Sequence, residues 1–65
     1  MTIQQMLTKY ENRYAECEQQ FTSDVSELAT ATGDRLSWLN EDIISLNGQL
    51  GAYECIIKDL RGLLE

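Results

Sequence analysis

The groups with which this chain could do chemistry are two cysteines, Cys17 and Cys55, and eleven carboxylates; there is no histidine. A serine, threonine or cysteine nucleophile needs a neighbouring base, most often an imidazole, and none is available. A structural zinc site takes four ligands in closely spaced pairs, which two isolated cysteines do not supply. The stretch GQLG at 48–51 has neither the length nor the lysine of a phosphate-binding loop. Glu16 and Glu18, and likewise Glu41 and Asp42, are spaced so that they point apart on a helix, and they read as solvated charges rather than an acid–base dyad. Tyr10 and Tyr14 could stack on a ligand, but their spacing suits a helix core with hydroxyls at its rim. These residues predict no catalytic residue, no metal site, no cofactor and no enzyme activity.

The elements that must position these groups are helices. In the second half Leu36, Leu39, Ile43, Leu46, Leu50, Tyr53, Ile57, Leu60 and Leu64 recur at alternating steps of three and four without a miss. That is an a/d seam with Leu36 at a, and it specifies knobs-into-holes helix packing. The first half repeats the pattern through Ile3, Leu7, Tyr10, Tyr14, Cys17, Phe21, Asp24, Leu28 and Ala31, with Asp24 as the one acid in the series. A charge on a seam costs stability unless paired, so the expectation is a partly exposed Asp24 with Val25 turned inward. The two registers miss each other by one residue, at ATGDR. Gly33 suits the left-handed residue that follows a helix end, and Asp34 suits the cap of the next helix. Thr2 and Gln5 have the spacing of a capping box.

The chain therefore reads as all-α, one helical-hairpin domain over 1–65: helix 1 over about 3–31, a turn at 32–34, and helix 2 over about 35–64. A continuous helix passing through Gly33 into a long coiled coil is the rival arrangement. In the hairpin Cys17 lies beside residues near 49 rather than beside Cys55, which excludes a bridge within the chain. Both cysteines are expected to be buried thiols, with Cys17 a small core residue.

A hairpin uses one seam of each helix, yet helix 2 is apolar elsewhere too. Ile56 and Leu63 flank its seam, and Trp38 and Ile44 lie further round; helix 1 adds Met6 and Val25. Gly48, Gly51, Ala52, Cys55 and Gly62 form a stripe of small residues away from the leucines. Each glycine costs a helix roughly 0.5–1 kcal/mol relative to alanine. Small residues let a second helix approach closely, although glycines also simply bend or relax a helix. The expectation is self-association into a dimeric four-helix bundle through Trp38, Ile44, Gly48, Gly51, Ala52, Cys55, Ile56 and Leu63. A chain of this size buries only about 60% of its unfolded surface, and association would enlarge its small core.

Composition fits this picture. Of 65 residues 43% are hydrophobic and 25% charged, with no proline, which suits a folded rather than a disordered chain. The net charge of −6 is spread over both halves and disfavours direct binding to nucleic acid or to an anionic membrane. The acids form no dense run of the kind that mimicry of nucleic acid would favour. No long apolar run or secretory leader is evident, so a cytoplasmic location is expected.

The stretches TKYENRYAECEQQ, SDVSELA and WLNEDIISLNGQLGAYE resemble short open-reading-frame proteins of lambdoid bacteriophages, encoded between the exonuclease and excisionase genes (the exo–xis region). The resemblance runs over nearly the whole chain and rests on these runs rather than on a diagnostic motif. It implies a small early phage protein that affects host physiology and the choice between lysis and lysogeny, including prophage induction. It carries over no catalytic or binding residue. Together, residues and resemblance lead to the expectation of a phage accessory protein that acts by contact with a host or phage protein. The alternatives are a purely structural oligomerisation module whose partner is another copy of itself and, third, an acidic nucleic-acid mimic.

Overall fold

The computed structural model describes residues 1–65. It contains two helices, α1 (Ile3–Leu28) and α2 (Gly33–Leu64), packed against each other as a hairpin, and no strand. The longest dimension is 48 Å, which matches 32 helical residues at about 1.5 Å each. The continuous rod is therefore not formed.

At the start of α1 the Thr2 side chain accepts from the Gln5 N–H at 3.1 Å, and the Gln5 side chain accepts from the Thr2 N–H at 2.9 Å. This is the expected capping box, and it satisfies two donors that the first turn cannot pair internally. The far end departs from expectation. Helix α1 stops at Leu28, short of residue 31; beyond it the Thr30 N–H donates to the Glu27 carbonyl at 3.0 Å in a tightened turn, and the Ala31 N–H shares that acceptor at 3.0 Å. Gly33 does adopt the left-handed region, at φ +60°, but it is the first residue of α2 rather than the residue closing α1. Thr32 occupies the capping position without a side-chain hydrogen bond. Asp34 is displaced from the cap into the first turn, where its charge still meets the positive helix end.

The register between the helices repeats every heptad. Tyr10 and Tyr53 approach with ring centroids 6.1 Å apart, and the Cys17 thiol donates to the Leu46 carbonyl at 3.6 Å. The next step toward the turn sets Asp24 against Leu39. Buried Leu7, Ile57 and Leu60 form a cluster at the open end, with Met6, Tyr10, Tyr14 and Ile56 packed on it. Leu46, Leu39 and Cys17 continue the core toward the turn. Phe21, Leu28, Ile43 and Leu50 are half-buried along the same seam.

Three expectations about the core are corrected. Asp24 is inside, 2% exposed, and Val25 is outside. Continuity of the heptad decides this: Asp24 keeps the seam position that Cys17 holds one repeat earlier, and turning Val25 inward would rotate the helix against its partner. Leu36 and Leu64 are exposed although they continue the α2 seam. Leu64 runs past the start of α1 and has no helix opposite it. Leu36 stands level with the last turn of α1, where Arg35 pairs with Glu27, and that helix end covers it only in part. Ile56 packs on the core of its own hairpin and is half-buried, which removes it from the outer surface.

Only seven of the 65 residues are buried, so single core positions matter. Leu39→Ala, at a fully enclosed site, is expected to cost about 2–5 kcal/mol, enough to unfold much of the population. Val25→Ala, on the surface, should stay within about 0.5 kcal/mol. Urea unfolding followed by circular dichroism distinguishes the two.

Candidate functional site

The site assembled most clearly is a surface, the side of α2 turned away from α1. Trp38 is 47% exposed, Ile44 73% and Leu63 67%, whereas α1 exposes Ile3 and Val25 among its large apolar residues. Between Ile44 and Leu63 lie Gly48, Gly51, Ala52 and Cys55, all exposed. A Cβ built on Gly48, Gly51 or Gly62 would meet nothing within 4 Å. The hairpin itself therefore does not require these glycines for close packing. The face is long, smooth at its middle and apolar at both ends.

Trp38 is held in place. The Arg35 guanidinium lies over its ring, 4.4 Å from the centroid, and the same guanidinium donates from Nη2 to Glu27 Oε1 at 2.8 Å and from Nε to Glu27 Oε2. The hydrogen bonds and charge of Arg35 hold the Glu27 carboxyl below its ordinary range. Glu27 thus ties the turn together twice, by its carbonyl and by its carboxylate. Exposed ion pairs contribute little stability alone; here the pair orients an aromatic side chain. A second exposed pair, Arg61 with Glu11 at 2.8 Å, crosses the open end of the hairpin.

The potentially reactive groups are dispersed. Cys17 is buried against Leu46 and Gln49, as its register predicts, while Cys55 is exposed, contrary to the expectation of two buried thiols. Cys55 lies on the side of α2 opposite the seam, so one partner helix cannot cover it. Burial, and to a smaller degree Asp42, pushes the Cys17 thiol up, which leaves it less nucleophilic. Burial followed by the charges of Glu18 and Glu54 pushes the Tyr14 phenol up as well. An open depression beside Cys17 is lined by Lys9, Asn12, Arg13, Glu16 and Gln49. It gathers polar groups without setting a base beside a nucleophile. No group of three or more potential metal-ligating residues comes together. No helix is long and apolar enough to cross a membrane.

One pairing of acids escaped the sequence reading. Glu41 is exposed, as expected of a solvated charge, but Asp42 is half-buried, because the register that sets Cys17 beside Gln49 places it on the seam side opposite Asp24. The signal was present: if Cys17 faces residue 49, then residue 24 faces residue 42, seven positions along each helix. No protein-family model, curated protein or solved structure matches the chain.

Thiol labelling in dilute solution tests the placement of the cysteines. At pH 8 Cys55 should react with an aromatic disulfide reagent in the folded protein. Cys17 should react only after denaturant is added. Equal native rates for both would contradict the buried position of Cys17.

Proposed function

We propose that this chain is a non-enzymatic interaction module whose first partner is a second copy of itself, docked through the outer face of α2 into a four-helix bundle. The observation that carries the reading is the open space around Gly48 and Gly51, flanked by exposed Trp38, Ile44 and Leu63. Four features support a second copy as the occupant. An antiparallel two-fold contact centred near Gly51 would set the small residues of both copies at the crossing. The same contact would bring Trp38 of one copy over Leu63 of the other, since the two lie on the same flank at nearly equal distances from that centre. Small residues at a crossing permit close backbone approach, and the aromatic and leucine at its ends supply the apolar area. Finally, a core of six apolar residues is thin, and burying the outer face would reinforce it.

The resemblance to the lambdoid exo–xis reading frames gives such a module its setting. On that reading it is a small phage accessory protein in the bacterial cytoplasm that influences host physiology and the lysis–lysogeny decision through contact with a host or phage protein. The absence of histidine and the dispersal of the cysteines support contact rather than catalysis. The net charge of −6 disfavours nucleic acid as a direct partner. A structural role, in which self-association is the whole function, differs in one respect: the dimer then leaves no apolar surface for a third molecule.

Gly48→Ala combined with Gly51→Ala separates helix propensity from docking. Each replacement should stabilise the isolated hairpin by roughly 0.5–1 kcal/mol, since the added methyl meets open space. In sedimentation equilibrium the same double variant should associate more weakly than the wild type. A wild type that dimerises, with a variant that is equally dimeric, would show that the glycine face is not the contact. Affinity capture from infected cells, with Trp38→Ala as the control, then distinguishes an accessory protein from a purely structural one.

A further inference from the structure

The most unusual side chain in the hairpin is Asp24. It is 2% exposed, among the most enclosed residues in the molecule, and it lies in the helix–helix seam where its neighbours one heptad away are thiol and leucine. One carboxyl oxygen is satisfied: Gln20 Nε2 donates to Asp24 Oδ1 at 2.8 Å. The other, Oδ2, is buried and has no hydrogen-bond partner. An enclosed carboxylate oxygen with no donor is costly, and a thin core has little stability to offset it.

The register brings a second carboxyl to the other side of the seam. The Cys17 thiol contacts both the Leu46 carbonyl and the Gln49 side chain, at 3.6 and 3.9 Å. Seven residues toward the turn on each helix, the same geometry sets Asp24 against residues 39 to 42. Leu39 lies on one side of that site, wholly enclosed, and the register that sets Cys17 beside Gln49 places the half-buried Asp42 on the other. Two carboxylates in contact repel when both are ionised, but one proton converts them into a donor and an acceptor.

We propose that Asp24 and Asp42 share a single proton across the seam, with protonated Asp42 donating to Asp24 Oδ2, and that this proton latches α1 to α2 in the turn-side part of the hairpin. The hairpin is then a proton-linked switch: closed while the proton is held, loosened as it leaves to water. The charged and titratable neighbours are Glu27 and Cys17 on α1 and Arg35 on α2. Arg35 attracts both acids, but its guanidinium is already engaged by both oxygens of Glu27 and supplies Oδ2 with no hydrogen bond.

The sign of the effect follows from the position of Asp42. Contact with Asp24, then burial, raises its carboxyl above the ordinary value of 3.8. A group that binds its proton more tightly when folded stabilises the fold fully below 3.8 and loses that contribution as pH rises through the raised value. Glu27 acts oppositely: lowered from 4.5, it stabilises above that value and stops doing so as pH falls through its lowered one. Stability should therefore peak on the acid side of neutrality.

The test is the pH dependence of unfolding, compared between wild type and Asp42→Asn at a concentration where both are monomeric. Trp38, the sole tryptophan, and circular dichroism report the transition. In the wild type the unfolding constant should rise with pH, by up to about tenfold per pH unit where one proton is released. Asp42→Asn, whose amide can donate permanently to Asp24, should be flatter over that range and more stable than the wild type at pH 8. Carbon-13 NMR of the wild-type Asp42 carboxyl should show a midpoint above the ordinary aspartate value. Parallel pH profiles for the two proteins, or an Asp42 midpoint at or below 3.8, would overturn the proposal. Because the comparison is made on monomers, its failure would leave the proposed docking face untouched.

Discussion

The single seam between α1 and α2, paired in one antiparallel heptad register, is the constraint from which the other features follow. Once Tyr10 stacks near Tyr53, each step of seven residues fixes the next contact. Cys17 meets Leu46, and Asp24 is carried into the same seam, one heptad nearer the turn. The register also brings Glu27 to Arg35 at the turn, and through Arg35 it fixes the ring of Trp38. A seam of this kind is efficient but narrow. It encloses seven residues and leaves the opposite side of α2 without a neighbour.

Much of this was legible in the sequence because it depends on periodicity. The unbroken three–four alternation from Leu36 to Leu64 requires a helix with one continuous seam, and the skipped residue at Gly33 requires a break. The partner of Cys17 then follows from counting outward from the turn. The Thr2–Gln5 cap was legible because its chemistry is local. What was not legible depends on energies that oppose one another across the interface. A solitary acid on a seam suggests exposure, yet Asp24 is enclosed because rotating α1 to release it would sacrifice the packing of Leu7 and Cys17 on the same face. The end of α1 comes earlier than the pattern suggests, where the Thr30 donor tightens the last turn onto the Glu27 carbonyl, a local bond that periodicity does not encode. Leu64 continues the pattern beyond the start of the opposing helix, where a seam position no longer means burial.

The division of labour between the helices bears on function. Helix α1 has one apolar stripe, and that stripe is used within the hairpin. Helix α2 is apolar on more than one side, with glycines whose surroundings are empty. A sequence under pressure only to stabilise the hairpin would replace those glycines with alanine, which favours a helix by roughly 0.5–1 kcal/mol at each position. On the proposed docking, close approach of another backbone offsets that cost. The enclosed Asp24 carboxyl is a second departure from maximum stability, and it resides in the seam rather than on the outer face. The two departures are separate in space: one concerns what the hairpin meets, the other when it holds together.

Small-angle X-ray scattering over a range of concentrations tests the folding back of the chain and its lateral pairing together. Folding back with side-by-side docking predicts a longest dimension that stays near 48 Å while the scattering mass rises from 7.4 kDa toward twice that value. A particle roughly 95 Å long, as a continuous helix of this chain would be, would contradict the hairpin. A mass that remained at 7.4 kDa throughout would contradict the pairing.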